Sequence, residues 1–207
     1  MTQSDEAVFV VDDDLAVREA LRSLLRWLGL RCETFESAAA FLAAERPDAP
    51  SCLVLDVHLP GICGLDLPAE LGRSGRALPI VFITGQGTIP MGVRAMKAGA
   101  VEFLTKPFDE RQLLSAIEQA LGHDRAAREG RAARRAFADR VDRLSARERA
   151  VLDLAIVGRT DEDIAASLGI SPRAAKQHRG RVMSKLDVSD VDDLVRLMPP
   201  AASPGAR

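Results

Sequence analysis

The chain has 207 residues, room for one large domain or two small ones, and its 47% hydrophobic and 28% charged residues are the balance of an ordinary globular protein. A formal net charge of −2 gives no overall pull toward nucleic acid or anionic lipid, so any such binding must come from a local patch. No apolar run nears the ~20 residues that cross a bilayer, MTQSDEA lacks the makings of a signal peptide, and Cys32, Cys52 and Cys63 have neither even number nor metal-ligand spacing, so a reducing, cytoplasmic location without a membrane partner is expected.

In chain order, AVFVV at residues 7–11 predicts a buried strand that runs straight into Asp12, Asp13 and Asp14. Three like charges so close repel strongly in a low-dielectric site, so they call for a cation or for full exposure to water. LAVREALRSLLRWLGL then places Leu15, Leu21, Leu24, Leu25 and Leu28 at helical spacing, with Gly29 as its stop. Further strands are predicted at 31–35, 51–56, 79–84 and 101–105, and SAAAFLAAE, IPMGVRAMKAG and DERQLLSAIEQALG predict helices. Such alternation implies a doubly wound α/β domain, a five-stranded parallel sheet with helices on both faces.

Ligands in such folds sit at the carboxyl ends of the strands. Asp12, Asp13 and Asp14 end the first strand, Asp56 the third, Thr84 the fourth and Lys106 the fifth, so one rim gathers carboxylates, a hydroxyl and an ammonium. A hard divalent cation such as Mg²⁺ suits that set, and beside Asp56 it would offset Asp12 and Asp13 while Asp14 turns away to start the first helix.

From Asp109 the helical pattern scarcely stops. HDRAAREGRAARRAFADRVDRL is dense in Ala and Arg and predicts a long helix, with Gly122 and Gly130 as its weak points. SARE then forms a capping box of Ser145 and Glu148. Helices are predicted over ERAVLDLAIVG, TDEDIAASLG, SPRAAKQHRGRVMSKL and SDVDDLVRLM, the third capped by Ser171 with Pro172 at its first position. Short helices with a tight glycine turn before a basic one make a helix-turn-helix. That basic helix carries Arg173, Lys176, His178, Arg179, Arg181 and Lys185 and no acid, a local footprint for phosphates. The expected division is 1–121, a helical linker over 122–143, and a small all-α domain over 144–207.

The order Asp12-Asp13, Asp56, Thr84, Lys106-Pro107, with separations of 28 and then 22 residues, resembles the flavodoxin-like receiver domain of bacterial two-component response regulators from residue 7 to about 121. The resemblance implies that Asp56 is the phosphoacceptor, and that Asp13 and the His58 carbonyl hold Mg²⁺ with it, Mn²⁺ being a substitute. Asp12 would act directly or through water, and Lys106 and Thr84 would stabilise the transferred oxygens. It also implies a cis peptide before Pro107. On phosphorylation Thr84 would move toward the phosphoryl group and Phe103 swing inward, altering the face made by the helix over 89–99, the last strand and the helix after it.

Residues 144–198 resemble the LuxR-type DNA-binding domain, through LSARERAVLDLAIVGRTDEDIAASLGIS and through Lys176, His178, Arg179, Val182, Lys185 and Leu186. The pairing resembles FixJ-type regulators. Two departures stand out: Ala174-Ala175 where the family has Thr-Val, and Asp161-Glu162 where it has Asn-Lys. The likeness places Lys176 and Arg179 at base edges and Arg173, Arg181 and Lys185 at phosphates, with His178 on the same helix. It implies a transcription factor, not an enzyme beyond Mg²⁺-dependent self-phosphorylation and autodephosphorylation. A sensor histidine kinase would load Asp56, and a homodimer would bind promoter DNA and meet RNA polymerase. Two other classes compete. A haloacid-dehalogenase phosphatase would carry a second Asp where this chain has His58, and a regulator that works through protein contacts would account for Asp161, Glu162 and the two alanines.

Overall fold

The structure, a computed structural model, describes residues 5–190 together with Asp193, Leu194 and Leu197. The chain divides into two compact units, Met1–Arg128 and Glu129–Arg207. In the first unit β1 (Ala7–Val11), β2 (Arg31–Phe35) and β3 (Ser51–Asp56) are followed by a hairpin of β4 (His58–Leu59) and β5 (Ile62–Cys63), then by β6 (Ile80–Thr84) and β7 (Glu102–Thr105). Five of these form one parallel sheet in the order β2-β1-β3-β6-β7, as the alternation of strands and helices predicts. The strand order reverses between β1 and β3, which puts a crevice at their carboxyl ends.

Helices α1 (Leu15–Trp27), α2 (Ala38–Ala43), α3 (Leu67–Arg73), α4 (Ile89–Lys97) and the start of α5 (Glu110–Asp142) accompany the sheet. With both faces covered, β1 and β3 are buried at every position and read as unbroken apolar runs. Alternate residues serve opposite layers: Phe9, Leu53, Leu55 and Phe82 pack with Phe41, Leu67 and Leu71, whereas Val8, Val10, Val54 and Ile83 pack with Leu25, Leu113 and Ile117.

The chain departs from the predicted elements in a few places. Leu15 and Leu28 are exposed at the ends of α1, which buries Leu21 and Leu25. The fourth sheet strand starts at Ile80 rather than Pro79, and the fifth at Glu102. Neither the β4–β5 hairpin nor the seven-residue α3 was foreseen.

Helix α5 runs unbroken for 33 residues through both Gly122 and Gly130, about 50 Å at the usual rise. The expected linker is thus helical to Asp142, and its first turns, through Arg128, belong to the first unit. Asp124, 3% exposed, accepts the Ser51 N–H at 2.9 Å and Arg128 Nε at 2.7 Å, while Arg128 Nη1 reaches Asp48 at 2.5 Å. A carboxylate so buried is tolerable because both partners satisfy it.

In the second unit α6 (Ala146–Ile156), α7 (Asp161–Leu168) and α8 (Pro172–Leu186) close over Phe137, Val151, Leu152, Ile164, Val182 and Leu186. Capping boxes open α6 at Ser145 and α7 at Thr160, and Ser171 caps α8. Gly169, at φ 64°, ends α7 in the left-handed conformation that lets the chain turn sharply into α8. The helix predicted over SDVDDLVRLM falls largely outside the described residues. Among the described residues no helix is long and apolar enough to cross a membrane.

Candidate functional site

The sheet's carboxyl rim brings the predicted acids together. Asp12 follows β1 directly and is fully buried, and Asp56 is the last residue of β3. Between them stands Lys106, whose Nζ donates to Asp12 Oδ2 and to Asp56 Oδ2 at 2.6 Å each. The remaining oxygens are also engaged: Asp12 Oδ1 accepts the Asp14 N–H and Asp56 Oδ1 the His58 N–H, both at 2.9 Å. Lys106 is delivered by β7, its N–H donating to the Thr84 carbonyl at 2.7 Å, and the Lys106–Pro107 peptide is cis. The crowding of three aspartates is thereby resolved in three ways. Asp14 turns out to cap α1 through the Ala16 N–H, Asp12 shares a cation with Asp56, and Asp13 faces water.

Burial raises the Asp12 carboxyl above its usual range, although Lys106 and the Asp14 N–H pull it partly back. Burial alone would lower Lys106, but its hydrogen bonds to Asp12 and Asp56 outweigh that and raise it, so it stays an ammonium. Carboxylate oxygens of Asp12, Asp13 and Asp56 lie within 4.8 Å of one another, and Asp13 opens the group to solvent. Three hard oxygen donors with one open side fit a cation that keeps part of its water shell, as Mg²⁺ does.

Thr84, fully buried, accepts the Gln86 N–H at 3.2 Å, and its Oγ1 lies 3.1 Å from His58 Nδ1. Half-buried Phe103 seats its ring over α4, where a Cβ added to Gly92 would come within 3.6 Å of the ring. Two further residues escaped the sequence reading. Arg18 Nη1 donates to the carbonyls of Asp12 and Asp13 at 2.8 and 2.9 Å, fixing the acidic turn from α1. Gly64 donates to the Val57 carbonyl at 2.9 Å, and any Cβ there would strike the Asp56 carbonyl. Arg18 is one of many charged positions on an amphipathic helix, so no local pattern marked it.

The second cluster lies on α8. Arg173, Lys176, Arg181 and Lys185 are exposed and line one side of the helix with Gln177, Gly180 and Ser184. Gln177 was missed because it carries no charge, yet a glutamine amide there can donate and accept at an adenine edge. The structure does not bring all six predicted residues together. His178 and Arg179 are half-buried on the flanks, and Arg179 is paired with Asp161 of α7, its Nε 3.1 Å from Oδ1. Lys185 Nζ also meets Glu148 Oε1 at 2.6 Å. That hydrogen bond, with those from the Ser145 N–H and hydroxyl, holds the Glu148 carboxyl down at about 2. Ala175 is fully buried in the core, so it packs there and makes no part of the exposed face of α8.

Comparison with known proteins follows the same division. Residues 8–118 match the response regulator receiver domain, and residues 142–198 match the luxR family of bacterial regulatory proteins. Nodulation protein W of Bradyrhizobium diazoefficiens is 45% identical over 190 residues, covering 92% of this chain and 84% of that protein. Transcriptional regulatory protein FixJ of Azorhizobium caulinodans is 44% identical over 192 residues, covering 92% and 90%. The solved structure of the response regulator StyR superposes with a TM-score of 0.75 at 47% identity, covering 93% of this chain and 97% of that one.

Proposed function

The chain belongs to the bacterial response regulators that join a receiver domain to a luxR-family DNA-binding domain, and on that footing we propose that a sensor histidine kinase phosphorylates Asp56 in the cytoplasm and so controls promoter binding by α8. The observation that carries the reading is the Lys106 ammonium held 2.6 Å from both Asp12 and Asp56, with Asp13 completing the acidic rim.

In the proposed reaction a carboxylate oxygen of Asp56 attacks the phosphorus of a phosphohistidine. A P–O bond forms as the P–N bond breaks, and the imidazole leaves. Such transfer is mostly a matter of alignment and charge neutralisation. The His58 N–H orients one Asp56 oxygen, and Lys106 places its charge beside the other and beside the oxygens being transferred. Asp12, Asp13, Asp56 and the His58 carbonyl would hold Mg²⁺, or Mn²⁺ in its place, which when bound adds positive charge to those oxygens.

The acyl phosphate then competes for the Thr84 hydroxyl, which leaves His58 and Gln86 to donate to it. Phe103 moves off Gly92 into the space that Thr84 vacates. The altered surface of α4, β7 and α5 favours a homodimer, which matches paired half-sites on DNA, where RNA polymerase is a further partner.

On α8, Lys176 reads base edges and Arg173, Arg181 and Lys185 hold phosphates. Arg179, tied to Asp161, is a weaker candidate for base contact than the sequence suggests. Lys176→Ala is expected to weaken DNA binding by about 1–3 kcal/mol. Arg128→Ala should leave it unchanged, because that guanidinium serves Asp124 and Asp48. Electrophoretic shifts on genomic fragments check both; equal losses would move the DNA contact to α5, and no shift at any salt would favour a regulator that acts through protein contacts.

A further inference from the structure

One ion pair in the second unit has a consequence for DNA binding beyond the demotion of Arg179 as a base contact. Asp161 is the first residue of α7, next to the capping Thr160, and its side chain is 16% exposed. Arg179 reaches it from α8: Nη2 donates to Oδ2 at 3.2 Å and Nε stands 3.1 Å from Oδ1. Oδ1 itself is sealed from solvent and receives no aligned hydrogen bond, so charge attraction is what holds it. The neighbouring acid Asp163 is committed elsewhere: its Oδ2 accepts the Thr160 N–H, and its own N–H donates to the Thr160 hydroxyl.

We propose that Asp161 sets the DNA affinity and salt sensitivity of this regulator by occupying Arg179 in the manner of a DNA phosphate, withholding that guanidinium from the duplex. This rests on the reading of α8 as the DNA-binding helix. A carboxylate and a phosphate offer a guanidinium the same kind of charged oxygen. For Arg179 to contact the backbone it must therefore give up one such partner for another, and leave the Asp161 carboxylate uncompensated behind it. The phosphates neutralised on binding are then those met by Arg173, Arg181 and Lys185, which stand on the exposed side of α8. Asp161 acts through Arg179, as a positioning residue. Asparagine in its place keeps the shape but removes the charge, so Arg179 can swing toward the duplex three residues beyond Lys176, one turn along α8.

The test is the salt dependence of binding by the full-length chain to a non-specific duplex, for the wild type, Asp161→Asn, Arg179→Ala and the double variant, with circular dichroism to establish that each is folded. Each added phosphate contact steepens the fall of log affinity with log salt by about 0.9. Asp161→Asn should show that increment and bind several-fold tighter at low salt; Arg179→Ala alone should keep the wild-type slope, and the double variant should return to it. An Asp161→Asn slope equal to the wild-type slope overturns the inference, and so does a flatter slope for Arg179→Ala alone, because Arg179 would then already touch phosphate. In both cases DNA binding by α8 stands. If no variant binds DNA at any salt, the inference and the function proposed for α8 fall together.

Discussion

Lys106→Ala is expected to cost the first unit about 3 kcal/mol of stability in the presence of a chelator, the lower end of the range for removing one partner of a buried ion pair. The lower end applies because the Lys106 side chain is 21% exposed. Its ammonium is the charge shared by Asp12, which is fully buried, and Asp56, which nearly is. Without it two carboxylates face each other with backbone N–H groups alone to steady them. Millimolar Mg²⁺ should restore most of the loss by supplying charge to the same oxygens. Urea melts with chelator and with Mg²⁺ measure this, and an equal deficit in both would mean that the acidic rim is no cation site.

Asp56→Asn should abolish any gain in DNA affinity on treatment with acetyl phosphate while leaving basal binding unchanged. Asparagine keeps the volume and can still accept the His58 N–H, so the turn after β3 is preserved. What it lacks is the anionic oxygen that attacks phosphorus. Lys106 keeps its hydrogen bond to Asp12, so its position survives as well. The readout is an electrophoretic shift of the variant against the wild type. A shift that still responds to acetyl phosphate in the variant would move the acceptor to another group, with exposed Asp13 a carboxylate of the same cluster.

The sheet and its acidic rim were legible because their signals are local. Runs such as AVFVV and SCLVLD are buried on both faces, and the acids of the rim stand at their carboxyl ends, Asp12 just after β1 and Asp56 as the last residue of β3. Caps were legible for the same reason: Ser145 and Glu148, or Ser171 and Pro172, lie within one turn. What stayed hidden depends on residues far apart in sequence. Lys106 and Asp12 are 94 residues apart, Ser51 and Asp124 are 73, and no periodicity links them. The rim was nevertheless foreseeable, because topology sends every strand end to one edge. The Asp124 anchor was not, because an acid within an Ala- and Arg-rich helix looks solvated until its burial is known. Helix α3, seven residues with a proline in its first turn, is too short to show a period. In α8 the composition revealed the basic character, but which cations face outward and which turn back to Asp161 or Glu148 is set by α6 and α7 packing against it.

The most direct measurement treats the full-length chain with acetyl phosphate and Mg²⁺, reduces the product with borohydride, and maps the peptides by mass spectrometry. An aspartyl phosphate is an acyl phosphate, which borohydride converts to an alcohol, so the account predicts homoserine at position 56, lost when a chelator replaces Mg²⁺. Homoserine at Asp13 or Asp12, or an unmodified peptide spanning β3 under conditions that switch DNA binding, would contradict it.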